Sequence, residues 1–245
     1  MIPLVFVHGF MGGSEQWQAQ SALTKDRQGR DRELIRVDLP GFGKNAHLHP
    51  VNSISGFSDW VLSELTRRGV YRFDLLGHSM GGMIVQEMAR SAPERIVKLI
   101  LYGTGATGVL PGRFEPIETS MLRAQRDGAV ATARRISATW FLHNKASTEY
   151  SSCAAIAEQS SLAAILAGLE AMRDWSGEDL LQDIAANTFI LWGDCDRSYQ
   201  WSQVERLWCK IPNAKQLVIF PGCAHAVHLE APQLFNKLVG EIIDG

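Results

Sequence analysis

The chain has 245 residues, 46% of them hydrophobic, which suits one domain with a sizeable buried core. Lys and Arg number 24 against 26 Asp and Glu, a formal charge of −2 with no basic stripe or acidic tail. That balance argues against nucleic acid or an anionic membrane as partner, and no uncharged stretch is long enough to span a bilayer.

The Met1–Val7 start lacks a basic n-region, and its apolar run is too short for a signal peptide. Cys153, Cys195, Cys209 and Cys223 show neither C-x-x-C spacing nor a disulfide framework. Reduced thiols in a cytoplasmic, soluble enzyme or binding protein fit that pattern.

In chain order, short apolar runs alternate with helical patterns, and strand Leu4–Val7 leads into His8-Gly9-Phe10-Met11-Gly12-Gly13. Strand Leu34–Val37 leads into Asp38-Leu39-Pro40-Gly41-Phe42-Gly43, a structural turn whose glycines permit a tight backbone path. A helix follows over Ser55–Arg68, then strand Phe73–Leu76 and a helix over Met80–Arg90 that Pro93 cannot continue.

After strand Val97–Leu101 the alternation breaks. Residues 105–187 carry helical periodicity without a convincing strand, punctuated by Pro111, Pro116 and Gly128. Strand Phe189–Trp192, helix Gln200–Lys210, strand Gln216–Phe220 and helix Pro232–Ile243 complete the chain. This order predicts an α/β fold with a mostly parallel sheet flanked by helices. Residues 1–104 and 188–245 form the core, and 105–187 a helical cap over the sheet's C-terminal edge.

Gly77-His78-Ser79-Met80-Gly81 stands between a predicted strand and a predicted helix. A serine there occupies a sharp, strained turn, and the flanking glycines avoid collision with the neighbouring elements. The pattern is the G-x-S-x-G nucleophile elbow. A serine hydroxyl is weakly acidic, so it needs a base, and the base needs an orienting acid.

On these residues the chain resembles the α/β-hydrolase fold superfamily over nearly its whole length. The resemblance implies that backbone N–H groups of Phe10 and Met80 form the oxyanion hole. Leu191-Trp192-Gly193-Asp194-Cys195-Asp196 resembles the family's acid segment, where the second carboxylate is catalytic; this favours Asp196 over Asp194. Pro221-Gly222-Cys223-Ala224-His225 resembles the histidine loop, with Ala224 in place of a usual glycine, and puts His225 as general base. Ser79, Asp196 and His225 are then the catalytic triad, with no cofactor or metal.

Other residues take plainer readings. His228 lacks the partners of a zinc site, His78 reads as packing or pocket lining, and His47, His49 and His143 as surface or loop residues. Trp140, Phe141 and Trp175 fall in the cap as candidate pocket residues, joined by Met80, Met83, Met121 and Met172, and they favour a partly apolar small-molecule substrate. Arg113, Arg134 and Arg135 could anchor a carboxylate or simply occupy a solvated helix face.

Within the superfamily, Ser79-Met80-Gly81-Gly82-Met83, Pro93-Glu94-Arg95, Trp140-Phe141 and Cys153-Ala154-Ala155-Ile156 resemble the 3-oxoadipate enol-lactonases. The His8-Gly9-Phe10 loop departs from them. Ester or lactone hydrolysis is the expected activity. Carbon–carbon bond hydrolysis of ring-cleavage dienoates shares the S-M-G-G elbow, and slow-turnover receptors of the same fold keep an intact triad.

Overall fold

The computed structural model describes residues Met1–Gly245. Six strands form one parallel sheet in the order β2-β1-β3-β4-β5-β6: β1 Leu4–Val7, β2 Leu34–Val37, β3 Phe73–His78, β4 Ile96–Tyr102, β5 Asn187–Gly193 and β6 Ala214–Phe220. The expected strands recur, four of the six extended by one or two residues at an end, since short apolar runs mark strand centres better than strand ends.

Alternation along the strands divides the interior into two layers. Val5, Val7, Leu75, Leu99, Leu101, Ile190 and Trp192 belong to one apolar cluster. It also takes in residues of α1 (Ile54–Arg67), α2 (Met80–Ser91) and α7 (Trp201–Lys210). Leu4, Phe6, Leu76, Ile100, Tyr102, Leu191 and Phe220 belong to the other, with Trp17 and Leu23 of the 3₁₀ segment Ser14–Thr24 and with α9 (Pro232–Asp244). Burial on both faces explains why the strands read as continuous apolar runs.

The strand order reverses between β1 and β3, since β1 connects outward to β2 and the chain then returns to β1's other side. Open parallel sheets bind ligands at the carboxyl ends of the strands flanking such a reversal. His8-Gly9-Phe10 and Ser79 emerge there, from β1 and β3 respectively.

Between β4 and β5 lie α3 (Ile117–Asp127), α4 (Ala129–Ala138), α5 (Tyr150–Ala157) and α6 (Leu162–Arg173). The chain leaves and returns at one neck. Thr107 and Ser176 form an antiparallel bridge, Gly108 N–H donates to Trp175 O at 3.1 Å, and Gly177 N–H donates to Ala106 O at 2.7 Å. Beyond the neck, the 3₁₀ segment Glu178–Asp183 packs against α2 and α7. No single helix is long and apolar enough to cross a membrane.

Candidate active site

Ser79 joins β3 to α2 with φ 58° and ψ −122°. A non-glycine residue on the positive-φ side stores about 1–3 kcal/mol of strain and needs surrounding structure to hold it. Here Ser79 N–H donates to Tyr102 O at 3.0 Å, and Ser79 O accepts from Thr104 Oγ1 at 2.8 Å and from Gly82 N–H at 2.8 Å. The flanking glycines are sterically obligatory. A Cβ on Gly77 would lie 2.4 Å from Gly81 O, and one on Gly81 would lie 2.3 Å from Val7 O.

At the end of β5, Asp196 Oδ2 accepts from His225 Nδ1 at 2.8 Å, a bond sealed from solvent. Oδ1 of the same carboxylate accepts from Ser198 N–H at 2.7 Å and Tyr199 N–H at 3.1 Å, fixing the carboxylate plane. A carboxylate only accepts, so the proton sits on Nδ1 and the Nε2 lone pair remains for chemistry. Asp194 does something else: its Oδ1 accepts from Gly222 N–H at 2.8 Å and steadies the histidine loop from behind. Gly222 takes the loop's positive φ of 71°, and Ala224 has no such requirement, so a β-carbon is tolerated there.

Phe10 and Met80 are buried, and the backbone N–H of neither donates to another group of the protein. The Phe10 loop is held by His8, whose ring is fully buried. Its Nδ1 donates to Gly9 O at 2.8 Å, and its Nε2 accepts from Leu39 N–H at 3.0 Å. Burial lowers the pKa of His8, which keeps the ring neutral as those two bonds require. Gly9 allows the close approach: a Cβ there would sit 2.9 Å from Ser79 Cβ.

The histidine loop rests on a buried aromatic bed. His225 O accepts from His78 Nε2 at 3.0 Å and from the Tyr102 hydroxyl at 2.9 Å. Having spent its one hydrogen there, the phenol oxygen accepts from His228, through Nδ1 at 3.0 Å and the backbone N–H at 3.2 Å. His78 stacks on Tyr102 at 4.4 Å, and His228 lies tilted against Trp17 at 4.5 Å. Burial lowers both imidazoles, His78 well below its usual value and His228 to about 3.

The Alpha/beta hydrolase family model matches residues 4–238. The chain belongs to this family. The 2-hydroxy-6-oxononadienedioate/2-hydroxy-6-oxononatrienedioate hydrolase of Burkholderia vietnamiensis is 28% identical, over 98% of this chain and 86% of the relative. The pimeloyl-[acyl-carrier protein] methyl ester esterase of Aromatoleum aromaticum is also 28% identical, over 99% of this chain and 98% of the relative. The enol-lactonase of Burkholderia xenovorans LB400 superposes with a TM-score of 0.88 at 20% identity, covering 100% of this chain and 92% of that one.

In this alpha/beta hydrolase, Ser79 and His225 line one cavity, with Gly9, Phe10, Trp140, Phe114, Arg113 and Tyr199 among its walls. Of the aromatic candidates only Trp140 reaches it. Phe141 is wholly buried in the core, and Trp175 turns its Nε1 to Glu87 Oε1 at 2.9 Å, so neither lines the cavity. Of the methionines only Met172 lines it; Met80 and Met83 are core residues.

The three arginines also separate: Arg134 pairs with Glu158 at the surface, Arg135 pairs with Glu115, and Arg113 alone lines the cavity. Sequence reading passed over Tyr199, whose ring lies nearly parallel to His225 at 5.6 Å and whose phenol burial raises to about 12. Its only signal was an aromatic three residues beyond Asp196. No three His, Cys, Asp or Glu side chains converge as a metal-ligand set.

Proposed function

We propose that this alpha/beta hydrolase cleaves a carboxylic ester or lactone through an acyl-enzyme on Ser79, with His225 as base and Asp196 as its orienting acid. The observation that carries the reading is the 2.8 Å bond from Asp196 to His225, which lines the same cavity as the strained Ser79. Nothing in ordinary packing calls for both at once.

In this reading Ser79 Oγ attacks the carbonyl carbon while His225 Nε2 takes the hydroxyl proton. The electron pair displaced onto oxygen is met by the Phe10 and Met80 N–H groups, each such donor worth about 10²–10³ in rate. Collapse expels the alkoxide, which receives the proton from His225. Water, deprotonated by the same nitrogen, then releases the carboxylic acid and regenerates Ser79. The helices between the neck strands serve as the lid that shapes the site over the sheet.

The relative from B. vietnamiensis supports a second reading, carbon–carbon bond hydrolysis of a dienoate, because its similarity extends over 98% of the chain. A panel of p-nitrophenyl esters of increasing acyl length, run beside lactones and a dienoate, separates the two: loss of the dienolate chromophore without ester turnover favours the second. Ser79→Ala is expected to lower turnover on the scale of about 10⁶ seen for triad knockouts. A variant that keeps most of its activity, or a fluorophosphonate label on another residue with Ser79 unmodified, overturns the assignment.

A further inference from the structure

Apart from its histidines, the cavity is lined by a single ionisable group that carries charge at neutral pH, Arg113. A guanidinium against Phe114, Ile136, Trp140 and Met172 is expensive unless something pairs with it. Yet Arg113 makes no salt bridge with any carboxylate of the chain. The nearby Glu115 is already committed: Oε1 accepts from Ser120 Oγ at 2.5 Å and Arg135 Nη1 at 2.7 Å, and Oε2 accepts from Arg123 Nη1 at 2.6 Å. Two arginines on one carboxylate leave the neighbourhood positive before Arg113 is counted.

Only one nitrogen of Arg113 is used for structure. Nη1 donates to Glu115 O at 2.6 Å and Ser120 Oγ at 3.4 Å, and the guanidinium lies 4.5 Å over the Phe114 ring. These contacts hold the side chain and leave Nε and Nη2, one complete edge of the donor fork, without a protein partner but within reach of solvent. That edge has the spacing to take both oxygens of a carboxylate. Arg113, Tyr199 and Ser79 line the same cavity, so the cation and the nucleophile face one space.

We propose that Arg113 is a specificity-determining residue that pairs through Nε and Nη2 with a carboxylate on the substrate, so that the preferred substrate is an anionic ester, lactone or ketone. The proposal deepens the hydrolase reading and rests on it for the placement of the scissile carbonyl at Ser79. A carboxylate is favoured over a bulkier anion because the free edge is planar and two-pronged and the walls beside it are apolar. The charge then acts twice, admitting the anion and fixing the distance from it to the reacting carbon.

The test compares mono-4-nitrophenyl glutarate with its methyl-capped diester, as a ratio of kcat/KM values, in wild type, Arg113→Met and Arg113→Lys. Wild type is expected to favour the free acid by at least about tenfold, Arg113→Met to lose that preference, and Arg113→Lys to keep part of it, having charge without the fork. A wild-type preference for the diester, or an Arg113→Met ratio equal to wild type, overturns the proposal. Calorimetric titration with glutarate, needing no turnover, is the second readout. If neither ester is hydrolysed the ester reading fails, while glutarate binding that vanishes in Arg113→Met still supports the anion site, and equal binding or none in wild type rejects it.

Discussion

Acid should destabilise this protein through the histidines beneath its active site, and His228 allows the size to be worked out. Its ring is buried, Nδ1 is bonded to Tyr102, and buried Nε2 has no partner, so a second proton would place an unpaired charge in the core. Burial, reinforced by His225, lowers its pKa from 6.5 to about 3. The unfolded chain therefore takes up the proton first as pH falls below 6.5, and stability rises with pH across that window. Between pH 7 and pH 5 this one group removes about 2 kcal/mol.

Asp74 works in the opposite sense: burial raises it from 3.8 to about 6, so the folded state protonates first and the same acidification returns about 1 kcal/mol. The histidines win, because burial lowers His8 and His78 as well. His228→Phe keeps the aromatic contact with Trp17 and gives up one hydrogen bond, costing about 1 kcal/mol at pH 7. Its loss between pH 7 and pH 5 should nevertheless be about 2 kcal/mol smaller than wild type's. Urea denaturation at both pH values, with unchanged m, measures this. Parallel stability–pH curves for wild type and variant would refute the reasoning.

Other substitutions separate chemistry from architecture. Asp196→Asn keeps an acceptor for Ser198 and Tyr199 but turns an amide toward His225, so kcat should fall on the order of 10⁴ with the urea midpoint little changed. Gly81→Ala places a Cβ against two backbone oxygens, Val7 O at 2.3 Å and His8 O at 2.6 Å, neither of which can rotate away. A stability loss of roughly 3 kcal/mol or more is expected, read as lost soluble yield or a lowered melting temperature. Trp175→Phe strips Glu87 of a buried donor and should cost about 1–3 kcal/mol with KM unchanged, whereas Trp140→Ala should change KM; the reverse pattern would contradict the cavity described.

What could be read from sequence follows from how local each constraint is. Ser79, Gly77 and Gly81 are bound to one another within five residues by steric necessity, so the elbow is visible in the chain itself. Asp196 was preferred over Asp194 by resemblance alone, and the geometry supplies the cause: Asp194 reaches Gly222 while Asp196 reaches His225. Cap residues fared differently. Trp140, Phe141 and Trp175 look alike in a helical stretch, and which one faces the cavity depends on contacts such as Glu87 and Arg197 that lie far away in sequence. The Ser14–Thr24 segment was missed because 3₁₀ turns lack the 3.6-residue apolar repeat, although Trp17 is fully buried within it.

The same long-range contacts tie the helical segment between β4 and β5 to the proposed catalytic loops. Glu230, five residues past His225, accepts from Ala224 N–H and from Leu142 N–H, both at 2.6 Å, and so bridges the histidine loop to the insertion. Arg197, adjacent to Asp196, donates to Phe141 O at 3.3 Å, Leu142 O at 2.9 Å and Asn144 Oδ1 at 2.9 Å. Ala226 N–H adds a bond to Trp140 O at 2.9 Å. The stretch Trp140–Asn144 is therefore fastened to the Asp196 loop and the histidine loop together, and Trp140 belongs mechanically to the sheet's edge more than to the helices around it. The wall carrying Arg113 and Phe114 has no such fastening to the proposed triad loops beyond Gln200 Nε2 donating to Gly112 O at 3.0 Å. Freedom to change substrate without disturbing Asp196 and His225 is concentrated on that wall, which is where the cavity's one uncompensated charge stands.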